Sequence, residues 1–121
     1  MAYDPISEVI DEELNIDETV IENLTVFRKQ PKLVNLPGVD PTLERERMSN
    51  VLNELIDSLL LGIKNNPTKL WALTTFQSYF VSIEHEDTEV REHFGMEVEE
   101  IMDILGIESS DGLLSFYLGG L

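Results

Sequence analysis

The chain has no cysteine among its 121 residues. That excludes a disulfide framework, thiolate metal sites and a cysteine nucleophile, and it fits a reducing compartment. Histidine is scarce: His85 and His93 both fall in one acidic stretch, which leaves little room for a nucleophile–histidine–carboxylate triad. No glycine-rich phosphate loop, internal repeat or low-complexity tract occurs. The longest apolar run, Leu59-Leu60-Leu61-Gly62-Ile63, falls far short of the roughly 20 residues a bilayer span needs. The opening MAYDPISEVIDEEL has no basic stretch before an apolar one and does not read as a secretory signal. These absences lead to the expectation of a soluble, cytoplasmic protein.

Basic residues are also few, with 8 Lys and Arg against 24 Asp and Glu, for a net charge of −16. The distribution is lopsided. Residues 1–25 carry −8 without a single base, residues 26–83 carry +2, and residues 84–111 carry −10 with Arg91 the lone base. Such a field repels phosphates and anionic lipid and steers basic partners inward. Direct nucleic-acid binding and membrane association are not expected. The bases of the middle segment are expected to pair partly with the acidic flanks.

What is present is helical periodicity. A chain of this length, 42% hydrophobic and 26% charged, makes one domain with a sizeable core. Asp4-Pro5 reads as a helix start, with Ile6, Val9, Ile10 and Leu14 at helical spacing, and Asp17 as the cap of a second segment reaching Arg28-Lys29. Residues 1–30 are taken as an acidic N-terminal helical segment and 31–121 as a helical bundle domain whose core is built from 43–118. Residues 30–39, with two prolines and a glycine, read as a loop. Asp40 then caps a helix carrying Met48, Val51, Leu52, Leu55, Ile56, Leu59, Leu60 and Ile63, which Asn65-Asn66 ends before Pro67.

Asn66 is the expected cap of the next helix, Leu70 to Ile83, which is apolar on nearly every side and so central. Its Trp71, Phe76, Tyr79 and Phe80 read as core before they read as a ligand pocket. After the polar break His85-Glu86-Asp87, Thr88 caps a helix with the stripe Val90, Phe94, Val98, Ile101, Met102 and Leu105, closed at Gly106-Ile107. Ser109 or Ser110 starts a last short helix with Leu113, Leu114, Tyr117 and Leu118. The expected fold is all-α, a compact bundle of four to six helices.

The chemistry-bearing constellations are thin. Glu89, His93, Glu97 and Glu100 share one side of their helix, but no second helix offers the matching histidine of a carboxylate-bridged metal bundle. A solvated face is the better reading, so no metal and no cofactor are expected. The acidic loop Glu84-His85-Glu86-Asp87 lacks the glycine and alternation of a calcium loop. Ser109 and Ser110 sit where helix caps belong. The chain does not read as an enzyme.

The closing segment, DTEVREHFGMEVEEIMDILGIESSDGLLSFYLGG over residues 87–120, with its pattern EEIMDILGIESSDGLL, resembles a family of small bacterial all-helical domains of unknown function. The likeness is looser over 40–83 and absent over 1–30. It implies a helical bundle and a bacterial origin, and it brings no activity and no catalytic residues.

Small acidic helical proteins without catalytic groups suit the neutralisation of something basic. The favoured expectation is an acidic protein-binding inhibitor of the immunity type, occluding a basic toxin or nuclease domain by charge complementarity around an apolar anchor. The alternatives are a nucleic-acid-mimicking anti-defence (anti-restriction) inhibitor, and a non-catalytic adaptor kept soluble by its charge. A mimic would spread its acids more evenly than this chain does. The residues expected to meet the partner are Asp11, Glu12 and Glu13 in the first acidic segment and Glu97, Glu100 and Asp103 in the second. If the acidity served solubility alone, the anchor would be sought among exposed apolar residues such as Tyr3 and Phe116.

Overall fold

A computed structural model describes residues 3–34 and 41–119, and the side chains of Pro41 and Thr42 lie outside that description. Asp40, the expected cap, and loop residues 35–39 also lie outside the described residues. The architecture is all-α: α1 (Glu18–Lys29), α2 (Pro41–Gly62), α3 (Lys69–Ser82), α4 (Thr88–Leu105) and α5 (Leu113–Leu118), preceded by a 3-10 turn at Pro5–Glu8. Helix α2 packs against α1, α3 and α4, while α5 closes against α3 and α4.

The core is where the apolar spacing places it. Met48, Leu52, Leu55, Ile56, Leu59 and Ile63 are fully buried, facing Ala72, Leu73, Phe76 and Phe80 of α3 and the whole Val90–Leu105 stripe of α4. The Phe80 ring meets Phe94 edge-on at 6.3 Å between centroids, a geometry aromatic quadrupoles favour. Trp71 and Tyr79 are only half-buried, and Leu70 and Val81 are exposed, so α3 has an outer side despite its apolar sequence. The same core takes in Leu24 and Phe27 of α1 and Leu33 beyond it.

Helix ends depart from expectation in informative ways. Helix α2 stops at Gly62 rather than Asn65. Its terminal carbonyl accepts from both the backbone and the side-chain amide of Asn66, and the Trp71 ring lies where a Gly62 side chain would begin. Thr68, not Asn66, caps α3, its hydroxyl accepting from the Trp71 N–H at 3.2 Å. Asp87 precedes α4, and Thr88 is its first helical residue. The expected end of α4 holds: Gly106 sits at φ 81°, and the Ile107 N–H reaches back to Met102 O at 2.9 Å. Ser110 secures α5, its hydroxyl accepting from the Leu114 N–H.

The largest departure is at the N-terminus. Asp4 does cap a helical turn, accepting from the Ile6 N–H at 3.0 Å, but that turn ends at Glu8 and no helix carries Ile10 and Leu14. Residues 9–16 form a strap across the α2–α3 corner. The Lys69 N–H donates to Glu12 O and the Leu14 N–H to Pro67 O, and Glu13 pairs with Thr68 in an isolated β-bridge. Tertiary partners have taken the backbone groups that a helix would have used.

Candidate protein-binding face

Helix α4 buries Val90, Phe94, Val98, Ile101 and Leu105 and therefore turns the opposite side outward. On that side Glu89, Glu99, Glu100 and Asp103 are exposed and Glu92 half-exposed, surrounding Met96, which keeps 54% of its surface exposed. None of these carboxylates forms an ion pair or side-chain hydrogen bond among the described residues. The result is an acidic ridge with one apolar side chain at its centre. Sequence reasoning found Glu100 and Asp103 but passed over Met96. The signal was legible, because Met96 stands diametrically opposite the apolar stripe.

Several acids elsewhere are paired. Arg28 grips Asp57 with two bonds, Nε–Oδ1 at 2.7 Å and Nη2–Oδ2 at 3.0 Å. Arg47 holds Glu86 at 2.7 and 2.8 Å, and Lys64 meets Glu18 at 2.9 Å. The middle segment's bases do draw in the acidic flanks. The bonds to the guanidinium groups hold the Asp57 and Glu86 carboxyls below their ordinary values.

Glu97 stands apart from the ridge. It lies at the flank of the stripe, half-buried, beside the Lys32-Leu33 turn. Burial, reinforced by the neighbouring Glu100 charge, pushes its carboxyl above the ordinary value, against the opposing pull of Lys32. His93 is likewise half-buried, so the side expected to be fully solvated is solvated only at Glu89 and Glu100. No group of three or more metal-ligating side chains converges among the described residues.

The N-terminal set is built into the strap. Asp11 Oδ1 accepts from the Leu70 N–H at 2.9 Å, capping α3 from outside. Glu12 lies 3.9 Å from Lys69 Nζ, and the carboxylates of Glu12 and Glu13 are exposed. Behind them Lys69, only 3% exposed, donates to Asp111 Oδ2 at 2.7 Å, and the same oxygen accepts from the Ile10 N–H at 2.8 Å. Asp111 itself stands at φ 53°, a left-handed conformation that Asp tolerates better than most residues. Tyr3 and Phe116 are exposed, but their rings lean on each other at 5.6 Å. Ser109 and Asp111 bond one another within the turn.

Against known sequences, the model of the family described as Domain of unknown function (DUF4844) matches residues 14–121. The chain belongs to this family. The match reaches further toward the N-terminus than the resemblance of the closing segment, and it takes in α1. No curated protein and no solved structure matches the chain. No helix among the described residues is long and apolar enough to cross a membrane.

Proposed function

We propose that this member of the family is a non-catalytic, protein-binding inhibitor of the immunity type, and that it captures a basic toxin or nuclease domain on the outer face of α4. The observation that supports this most is the ridge of unpaired carboxylates around exposed Met96. Charge rims of this kind govern encounter rate and partner choice. A central apolar side chain removed from water supplies binding energy that rim charges do not. The apolar centre weighs against the nucleic-acid mimic, whose surface would have to present carboxylates without interruption.

The test is affinity capture from the cells that express the protein, with the wild type and a Glu99→Lys/Glu100→Lys/Asp103→Lys variant side by side. The expected result is a basic protein retained by the wild type and lost by the variant, whose circular dichroism is unchanged. Capture of the same protein by both would refute the placement on α4. A DNA-binding protein competed off by duplex DNA would transfer support to the mimic.

A further inference from the structure

We infer that the groove between the end of α1 and the first half of α2 is a binding site for a phosphate-class oxyanion, either free phosphate or the phosphate of a monoester. The groove is an open hollow of about 550 Å³, within the roughly 300–1,000 Å³ usual for small-ligand sites. Arg28, Lys29, Lys32 and Arg45 line it, and among its described lining residues only Glu46 is acidic. Half of the chain's 8 bases therefore converge on one hollow of a molecule that is acidic almost everywhere else. Arg28 is partly neutralised by Asp57, while Lys29 reaches no carboxylate among the described residues.

The hollow is a built feature. Beyond α1 the chain turns back through Leu33, a non-glycine residue held at φ 58° with its side chain buried. Residues persist in that left-handed region only where their surroundings enforce it. The turn seats Lys32 at 3% exposure, its Nζ donating to Arg28 O at 2.9 Å and Gln30 O at 2.7 Å. Two of its three N–H groups are thereby engaged. Burial draws the Lys32 ammonium below the ordinary lysine value, which Glu97 opposes, and a neighbouring anion would reverse that cost.

On the α2 side, Arg45 Nε and Asn53 Oδ1 are buried and find no hydrogen-bond partner among the described residues. Buried donors and acceptors are ordinarily satisfied. The Arg45 Nε–H therefore lacks the acceptor that an oxyanion oxygen would supply. A phosphate, with up to two negative charges and several acceptor oxygens, offsets more of the four converging bases than a carboxylate does. Ordinary solvent is the competing occupant.

The test is a nuclear magnetic resonance titration of the full chain with inorganic phosphate and with glucose 6-phosphate, at constant ionic strength. Saturable shifts are expected at the Arg45 Nε–H and the Asn53 side-chain amide. Affinity should fall by about tenfold or more in Arg45→Gln, the usual loss for a charge-assisted bond, and several-fold in the exposed Lys29→Gln. Arg47→Gln, outside the groove, should leave it unchanged. Equal affinity for the two probes identifies the free ion, and tighter binding of glucose 6-phosphate identifies the monoester. Shifts that never saturate, or that persist undiminished in Arg45→Gln, overturn the site.

Discussion

Lys69 is the side chain on which the strap, α3 and the turn before α5 converge, through Glu12 and Asp111. The Lys69 bond and the Ile10 N–H together hold the Asp111 carboxyl below its ordinary value. A lowered folded value contributes stability that is full above the unfolded value and is lost as pH falls through the folded one. Asp111→Asn keeps the turn but strips the charge from a buried ammonium, and should cost about 2 kcal/mol in urea unfolding at neutral pH. Its acid limb, below about pH 4, should be shallower than that of the wild type. Glu97 behaves in the opposite sense. Its raised folded value means the charged form is disfavoured by folding, and the penalty relaxes as pH falls toward the ordinary value. Glu97→Gln should therefore raise the melting temperature at neutral pH, a gain that fades in acid, and a lower melting temperature at neutral pH would contradict the burial argument. Neither role was readable in the sequence. Lys69 stood as one of several bases and Glu97 as one of several acids, because a pairing 42 residues apart and burial imposed by distant segments leave no trace in local spacing.

At the scale of elements, the helices and their buried stripes were legible because each follows from a 3.6-residue period that burial enforces locally. The strap was not. Ile6, Val9, Ile10 and Leu14 mimic helical spacing, yet Ile10 is 71% exposed, and the alternation Leu14-Asn15-Ile16-Asp17 was the better guide. Asp11→Ala should cost about 1 kcal/mol, as loss of an ordinary cap does, and should speed amide exchange at Leu70. Exchange there unchanged would mean the strap does not hold α3. The α2–α3 corner offers a second test. A Gly62→Ala side chain meets the Trp71 indole, so overpacking of roughly 1–3 kcal/mol should outweigh the helix-propensity gain. Tryptophan emission should shift to the red as the ring swings toward water, and Trp71→Phe in the same background should recover part of the loss.

At the scale of the whole molecule, the charge map resolves into regions with different duties. The first acidic segment is largely drawn into capping and strapping, the basic middle pairs with its flanks and lines the groove, and the outer face of α4 keeps its charges free. The sequence carried the segment charges but not this division, which depends on which carboxylates find bases after folding. Unpaired surface charge acts through a field screened within about 8–10 Å at physiological salt. The most direct test of the central claim is the association rate constant with the captured partner, measured from low to high ionic strength for the wild type and the Glu99→Lys/Glu100→Lys/Asp103→Lys variant. Wild-type association should fall steeply with salt, and the variant should be slower by about tenfold or more at low salt with its salt dependence largely removed. Equal rates for the two proteins, or a wild-type rate indifferent to salt, would show that the α4 ridge is not the docking face.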